Sequence, residues 1–417
     1  MQTSDSGRPR QVLAPVCALL LLAALPIRPL APGAIAWTAP SILLSAMLIA
    51  WAAESAQFFV AQGFALAILA WLQTLPEFAV EAVLAWKQQV PLLLANLTGA
   101  LRLLTGLGWP MIYATAAIAH RWKTRQPLRR ITLDPGHCVE VVGLLACMSY
   151  AAVIWWKATL NLFDAGMLIA IYAAYLFVLQ RMPPEKAEGI ADLEFIPRTI
   201  VKSRRPVRIG VITGLFLMGG ALIYFTAEPF LGSLLSLSAV LGVPSFVFVQ
   251  WVAPFVSEFP EKVSAFYWAR TVDRASMALM NMVSSNINQW TLLAAMLPIV
   301  YSLSRGEPST ISFDSQQELE LLMTLGQSLI GALFLINMEL AWWEAAALFF
   351  LWAVQFVLSP VEPSPGFWGT LAGHIHRYVT ITYLAWSAVE AGRMLAGWRK
   401  PAAFGRFAEM WRRHVRG

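Results

Sequence analysis

Apolar stretches, each about 20 residues long, follow one another through most of the chain. A helix that crosses a bilayer requires about 20 mostly apolar residues, and its backbone polar groups must be satisfied inside the helix. About a dozen stretches meet this requirement, at 12–31, 39–61, 63–86, 91–119, 137–157, 161–181, 208–240, 244–269, 275–304, 315–337, 339–359 and 369–393. The pattern predicts an all-α, polytopic membrane protein with about 10–12 transmembrane helices.

The composition excludes the soluble classes of protein. Charged residues make up 13% of the 417 residues and hydrophobic residues 58%, whereas a soluble chain carries about 25% charged residues. So few charges cannot cover the surface of a soluble protein of this size. The 18 Trp and 23 Phe fit the aromatic belts at the two membrane interfaces.

The basic residues are confined to a few loops and tails. The formal net charge is +6, and the Lys and Arg residues cluster in the segments 120–130, 182–207, 270–274 and 399–416. With the predicted spans, all four segments lie on one side of the membrane, as the positive-inside rule requires. We therefore predict an integral protein of the plasma (cytoplasmic) membrane with both termini cytoplasmic. The expected partners are the lipid bilayer and inorganic cations, with no nucleic acid and no required protein partner.

One short pattern occurs twice in the chain. The dipeptides Pro76-Glu77 and Pro260-Glu261 each lie near the middle of an apolar span, after small or polar residues. An Asn follows each Glu, after 19 residues at Asn96 and after 20 residues at Asn281. The two copies are five spans apart, so they cross the membrane in opposite directions. Inverted repeats with broken helices at the midplane are the architecture of many secondary transporters.

Proline explains why these spans should break. It has no N–H and clashes with the preceding helical turn. The carbonyls that it frees are tolerated at this depth only where they line a buried or hydrated cavity. A carboxylate beside such a break is by default part of a functional site.

Two further acids accompany the repeat. Glu81 lies four residues after Glu77, and Glu258 lies three residues before Glu261, so each pair can share a helix face. Four carboxylates near one cavity require either a hard divalent cation or protons on some of them. An alternative places Glu81 in the headgroup region near Lys87.

At these residues the chain resembles the sodium/calcium exchanger (cation/calcium antiporter) superfamily. Each inverted repeat of that family carries Gly-Thr-Ser-x-Pro-Glu in one helix and Gly-Asn-x-x-Gly-Ser-Asn in the next. The resemblance covers most of 39–119 and 208–304, and it implies that Glu77 and Glu261 are the central calcium-binding glutamates. It implies further oxygen or amide positions at Gln73-Thr74, Ser257-Glu258, Asn96, Asn281, Ser285-Asn286 and Gln289.

The chain also departs from the family pattern. In the first repeat the Gly-Ser-Asn triplet has become Gly99-Ala100-Leu101, and the later amide position has become Leu104. Two oxygen ligands are therefore missing on that side. Arg102 and Lys262 add basic groups that can pair with a carboxylate in place of a free cation.

The resemblance implies a secondary cation antiporter that exchanges calcium, or another cation, against protons or sodium by alternating access. The transported ions are then substrates, and no cofactor is expected. The predicted metal ligands are Glu77, Glu261, Glu258, Thr74, Ser257, Asn96, Asn281 and Ser285. Two alternatives stay open: an exchanger fold with a substrate other than calcium, and a scaffold or sensor that does not transport. No hydrolase, zinc-protease or nucleotide-loop motif occurs in the sequence, so an enzyme is not expected.

The repeat suggests a division of the chain into five segments. A tail with an extra helix precedes the first exchanger repeat; this helix is either a signal-peptide core or, as we favour, a retained helix. A cytoplasmic linker joins the two repeats, and an extra helix with a basic amphipathic tail follows the second. The predicted boundaries are 1–37, 38–181, 182–207, 208–360 and 361–417.

A few other residues invite functional interpretations. His374 and His376 are two residues apart and face different sides of a helix, so we expect a polar cap rather than a metal site. Glu54, in the second span, faces either the cavity or structural partners. We expect Cys17, Cys138 and Cys147 to pack at lipid depth, since three Cys provide no disulfide framework.

Overall fold

The computed structural model describes residues 32–59, 74–182, 193, 195–361 and 366–415. The predicted first span with Cys17, and Gln73 with the start of the third span, lie outside these residues. The described α-helices are α1 (Ile35–Ala56), α2 (Leu75–Trp86), α3 (Val90–Leu103), α4 (Trp109–Thr124), α5 (Cys138–Lys157), α6 (Leu162–Arg181), α7 (Phe195–Lys202), α8 (Arg205–Leu241), α9 (Ser245–Ser257), α10 (Phe259–Ala269), α11 (Ala275–Asn288), α12 (Ala294–Arg305), α13 (Ser315–Leu335), α14 (Trp342–Leu358), α15 (Phe367–Leu395) and α16 (Ala402–His414). The short strands are β1 (Arg130–Thr132), β2 (Thr159–Leu160), β3 (Ile311–Ser312) and β4 (Glu339–Ala341).

The predicted all-α polytopic fold is confirmed. By length and composition, six described helical segments can each cross a membrane, and α9 and α14 are shorter apolar helices. The segment Val90–Thr124 is one of the six and contains α3 and α4. The predicted span 244–269 is broken between α9 and α10, where the repeat motif lies.

The two halves of the chain contain the same structural features, π-helical segments and short strands, at matching positions. A π-helical segment follows α3 at Leu104–Gly108, and another follows α11 at Gln289–Leu293. Each segment begins eight residues after the Asn of its repeat. The strands pair between halves, β1 antiparallel to β4 and β2 antiparallel to β3. This correspondence is what an inverted repeat requires.

One long helix continues through Glu228-Pro229 without a break. The helix α8 runs unbroken through Pro229 for 37 residues and packs along α1. Small polar residues line this contact: Ser45 Oγ donates to the carbonyl of Gly219 at 2.7 Å, and Thr38 Oγ lies 2.9 Å from Ser233 Oγ. Small residues allow two membrane helices to approach closely.

The C-terminal helices α15 and α16 are attached to the rest of the bundle by buried contacts. The helix α16 packs on α5 and on the turn Pro135–His137, so its apolar face lies on protein rather than only on lipid. Between α15 and α16, the buried Arg399 donates to Glu344 at 2.6 Å and to Glu390 at 3.0 Å. The same guanidinium donates to the carbonyl of Phe334 at 2.6 Å.

Replacing Arg399 with Leu is therefore expected to destabilise the protein strongly. The change leaves the buried Glu344 without its cation, whereas Glu390 keeps its ion pair with Arg393 at 2.8 Å. Loss of one partner of a buried pair costs about 3–5 kcal/mol. Thermal unfolding in detergent measures the effect. The control is Arg412→Leu, which removes an exposed guanidinium from α16. Equal unfolding temperatures in the two variants would contradict the anchoring role of Arg399.

Candidate cation-binding site

Both copies of the repeat motif start a helix inside the protein. The helix α2 begins at Leu75 with Pro76 in its first turn, and α10 begins at Phe259 with Pro260 in its first turn. Proline is tolerated there because first-turn N–H groups have no partner within the helix. The glutamate that follows each proline is then held in the positive first turn of a buried helix.

The two halves meet at a glutamine that joins two of these acids. Gln289 Nε2 donates to Glu77 Oε2 at 2.9 Å and to Glu258 Oε1 at 2.8 Å. All three side chains are buried, and Gln289 is the first residue of the second π-helical segment. Glu77 also experiences Coulombic repulsion from Glu258, Glu81 and Glu261. One amide nitrogen thus holds carboxylates from both repeats within hydrogen-bonding distance.

The acids of the second repeat have partners of their own. Ser285 Oγ donates to Glu261, and Lys262 Nζ pairs with Glu258 one helical turn away. The sequence suggested that Lys262 can take the place of a cation, and the structure shows this for Glu258. The negative charge of Glu258 is therefore balanced from within, whereas described basic groups do not form an ion pair with Glu77.

Glu81 belongs to the buried group of acids, and the headgroup interpretation is wrong. Glu81 is fully buried and accepts a hydrogen bond from Asn96 Nδ2 at 3.2 Å. Lys87 pairs instead with Glu228 at 2.5 Å. In the first repeat, the motif Asn therefore contacts the second acid rather than Glu77.

Of the remaining predicted ligands, Thr74 forms a hydrogen bond between the two halves of the chain, whereas Ser257 and Asn281 form no such bond among the described residues. Thr74 Oγ1 accepts a hydrogen bond from Asn288 Nδ2 at 2.6 Å, which again joins the two halves. The hydroxyl of Ser257 is bonded to the carbonyls of its own helix, α9. The amide nitrogen of Asn281 is buried without a hydrogen-bond partner among the described residues.

Sequence reasoning overlooked Asn288 as a member of the site. It lies three residues after Ser285 and seven after Asn281, so all three fall on one face of α11. That spacing was a usable signal. The undecided Glu54 lies near the site as well, because Ser264 Oγ donates to it at 3.4 Å.

Unpaired oxygen atoms are the chemical signature of the site. Among the described residues of α2, α3, α11 and the π-helical segment after α11, six buried carboxylate or amide oxygens accept no hydrogen bond. They are Glu77 Oε1, Glu81 Oε2, Asn96 Oδ1, Asn286 Oδ1, Asn288 Oδ1 and Gln289 Oε1. Within the described residues, no group of three His, Cys, Asp or Glu side chains is arranged to hold a metal ion by itself. The site therefore offers a mixed set of carboxylate and amide oxygens, the ligand type that hard cations prefer.

Comparison with known proteins identifies the family. The family model described as sodium/calcium exchanger protein matches residues 16–180 and 211–360. The chain belongs to the sodium/calcium exchanger family. The predicted resemblance and the exchanger class are thereby confirmed, and the chain is a polytopic membrane antiporter of the cation/calcium class.

Solved structures of other exchangers share the fold. The crystal structure of the H+/Ca2+ exchanger CAX is 29% identical, with 98% of each chain covered and a TM-score of 0.82. The structure of native YfkE is 16% identical, covers 83% of this chain and 98% of its own, and has a TM-score of 0.59. A structure of the sodium-calcium exchanger NCX_Mj is 17% identical, covers 78% of this chain and 97% of its own, and has a TM-score of 0.51. A search of curated proteins found no match.

Replacing Gln289 with Leu tests whether the amide bridge supports ion binding. The change leaves Glu77 and Glu258 without their shared donor, and we expect calcium affinity to fall about 10–100-fold, as for groups that orient metal ligands. Calcium titration of the purified protein measures the loss. Gln355→Leu is the matched control, since this buried amide on α14 has no hydrogen-bond partner among the described residues. Equal affinities in both variants would show that the bridge is not part of the ion site.

Proposed function

We propose that the protein exchanges calcium for protons by alternating access. The observation that carries this proposal is the set of six unpaired buried oxygens on α2, α3, α11 and the π-helical segment after α11, together with the Glu77–Gln289–Glu258 bridge. Oxygen ligands of this kind suit calcium. The most similar fold reported above, with 29% identity over nearly the whole chain, is that of a protein named as an H+/Ca2+ exchanger.

Electrostatics favours a site that holds either a cation or protons. Two oxygens that share one donor at 2.9 and 2.8 Å lie less than about 6 Å apart. Two full charges at that separation repel by about 3 kcal/mol at an effective dielectric constant of about 20, and Lys262 offsets part of this repulsion at Glu258. Departure of a divalent ion therefore favours protonation of the carboxylates, and its return favours their deprotonation. The two states are the halves of an exchange cycle.

Protons suit the first repeat better than sodium does. A sodium ion, like other hard cations, requires a shell of oxygen ligands. The first repeat has Ala100, Leu101 and Leu104 where the family pattern has hydroxyl and amide groups. A proton requires one carboxylate oxygen, which Glu77 and Glu81 still supply. This loss of neutral ligands supports proton coupling.

The proposed roles of the site residues follow from the two Pro-Glu motifs at which helices begin inside the protein. Glu77 and Glu261 bind the ion across the pseudo-two-fold axis. Glu258, Thr74, Ser257, Asn96, Asn281 and Ser285 supply or position further oxygens. The helices α1 and α8, which their small-residue contact holds together, slide as a pair past the other helices and expose the site to each side in turn.

The proposed orientation places both termini on the cytoplasmic side of the plasma membrane. It is supported by the contact of α16 with the turn Pro135–His137, which brings the basic C-terminal helix to the end of the bundle that carries the 120–130 basic segment. The five-segment division at 1–37, 38–181, 182–207, 208–360 and 361–417 is proposed with it. No protein partner is required by this arrangement.

Calcium flux into proteoliposomes tests the proposed function. We expect an imposed pH gradient to drive uptake of labelled calcium, and an equal sodium gradient without a pH difference to leave uptake at the level of empty liposomes. Uptake under the sodium gradient alone would replace protons with sodium as the coupling ion. No calcium uptake under either gradient would contradict the proposal.

A different divalent cation is the second candidate substrate. The first repeat has Ala100, Leu101 and Leu104 at family hydroxyl and amide positions, so the site offers fewer oxygens than the family pattern. The charge that Glu258 adds, where the family has Ser, is neutralised by Lys262. Manganese and magnesium added as competitors in the flux assay distinguish the candidates. Uptake of manganese that exceeds uptake of calcium would favour this second assignment.

A further inference from the structure

A buried lysine, Lys262, lies in the candidate cation site beside the acid with which it pairs. Its Nζ pairs with Glu258 Oε2 one helical turn away, and the side-chain exposures are 6% and 2%. The other oxygen of Glu258, Oε1, accepts a hydrogen bond from Gln289 Nε2 at 2.8 Å. Both oxygens of Glu258 are therefore bonded to groups of the protein. By contrast, Glu77 Oε1 and Glu81 Oε2 accept no hydrogen bond from the described residues.

This ion pair belongs to the second repeat alone. The two Pro-Glu motifs are 184 positions apart (260 − 76), and by this offset Glu258 corresponds to Thr74 of the first repeat. Lys262 corresponds to Phe78, an apolar residue. Thr74 is buried, as Glu258 is, and its hydroxyl accepts a hydrogen bond from Asn288 Nδ2 at 2.6 Å. The fold therefore accommodates two uncharged side chains in one repeat where the other repeat has an ion pair.

Stability alone does not account for this buried ion pair. Removing two charges from water costs free energy, and replacement of such a pair by apolar residues is often neutral or stabilising. The first repeat shows that the fold does not require charges at these two positions. An ionisable side chain at this depth in a membrane protein marks a functional site by default. The role of Lys262 therefore concerns the ions that the site accepts.

We propose that Lys262 is a specificity-determining residue that excludes sodium and other monovalent cations from the second repeat. Its ammonium group occupies the position at which Glu258 would otherwise bind a free ion of single positive charge. The residue thus acts as a cation of fixed position that is part of the chain. This inference rests on the proposed function, because it gives for the second repeat a reason why protons rather than sodium accompany calcium.

A tethered ammonium has two advantages over a free monovalent ion. It is attached four positions after Glu258, so its local concentration does not depend on the sodium concentration in solution. A sodium ion that displaced it would lose its own hydration shell and would leave the ammonium buried without its partner, and both changes cost free energy. Calcium is not excluded in the same way, since Glu77 and Glu81 supply two charges on the first repeat and Lys262 does not occupy their oxygens.

Thermal unfolding in detergent, with calcium chelated, tests for the excluded sodium site. The variant is Lys262→Gln, whose amide can still donate to Glu258 but carries no charge. Replacing N-methylglucamine chloride with sodium chloride at about 150 mM should raise its unfolding temperature by about 2 °C more than that of the native protein, since a ligand that binds only the folded state stabilises it. In a calcium titration, the same exchange of salts should weaken calcium binding about tenfold in the variant and less than about twofold in the native protein.

Two controls separate the proposal from the general effect of removing a charge. The double variant Glu258→Gln, Lys262→Gln removes the acid as well and should lose the additional sodium effect. Lys157→Gln removes the lysine partner of another buried acid, Asp164, and should show no additional sodium effect either. An additional effect in Lys157→Gln, or none in Lys262→Gln, would overturn the proposal.

The native protein provides a test that does not depend on the folding of any variant. Sodium that weakens calcium binding about tenfold in the native protein would also overturn the proposal, because Lys262 would then fail to exclude it. None of these measurements involves transport. An absence of calcium flux in proteoliposomes would therefore contradict the proposed function, whereas the sodium measurements decide on the role of Lys262.

Discussion

Replacing Glu77 with Gln is expected to abolish calcium flux while the protein stays folded. The replacement keeps an oxygen that can accept from Gln289, so the bridge between the halves persists. It removes the central charge that described basic groups do not neutralise. We expect flux to fall about 100-fold or more, since loss of a charged ligand costs several kcal/mol and about 1.4 kcal/mol is a factor of ten. Proteoliposome uptake under a pH gradient measures it.

Two further substitutions make this result specific. Glu261→Gln is expected to give the same loss, because Glu261 occupies the matching position of the inverted repeat. Glu228→Gln is the control, since it neutralises an exposed glutamate that pairs with Lys87 on the surface. Full flux in Glu77→Gln would remove the site from the mechanism and favour a scaffold or sensor with an exchanger fold.

The two repeats are not equivalent, and this asymmetry bears on the mechanism. Glu258 has Lys262 as an internal counter-charge, whereas Glu77 shares only the neutral amide of Gln289 with it. In the proposed cycle, a calcium ion at the bridge would therefore meet the uncompensated charge of Glu77 and the compensated charge of Glu258. Most of the neutral groups of the proposed site lie on the second repeat, in α11 and the π-helical segment after it. The proposed site would thus draw a different contribution from each repeat.

Local sequence rules predicted the features that depend on one helix at a time. Apolar length predicted the spans, and the Pro-Glu pairs predicted broken spans, as seen between α9 and α10. The capping acid Asp164 is local in the same way: it accepts from the backbone N–H of Asn161 within one turn. These signals are readable because the residues that interact are three or four positions apart.

The long-range pairings could not be predicted from spacing. Gln289 meets Glu77 across 212 positions, and Arg102 meets Glu320 across 218. Which side chain faces which depends on how the two repeats pack, and periodicity alone does not determine that. His376 shows the same limit, because its partner Glu320 lies on another helix. The sequence suggested that Arg102 can pair with a carboxylate but could not identify the carboxylate.

Replacing Gly99 with Ala is expected to disrupt the site by forcing apart the helices α3 and α9. Gly99 lies on α3 where this helix crosses α9, and a Cβ there would be 1.9 Å from the carbonyl oxygen of Gln250. That contact is with backbone, so one helix must move away from the other. Overpacking of this kind costs about 1–3 kcal/mol and sometimes more. We expect a lower unfolding temperature and a loss of calcium flux.

The matched control separates this clash from the general effect of adding a methyl group to a helix. Gly220 lies in α8, and a Cβ there meets no atom within 4 Å. Because Gly is disfavoured in helices, Gly220→Ala should keep or raise the unfolding temperature, by about 0.5–1 kcal/mol of stability. An unfolding temperature for Gly99→Ala at or above that of Gly220→Ala would show that α3 and α9 do not need their close approach. The expected loss at Gly99 has a second consequence. Because Gln250 bonds Glu320 and α9 ends beside Glu258, one methyl group should disturb both the buried Arg102–Glu320 ion pair and the proposed cation site.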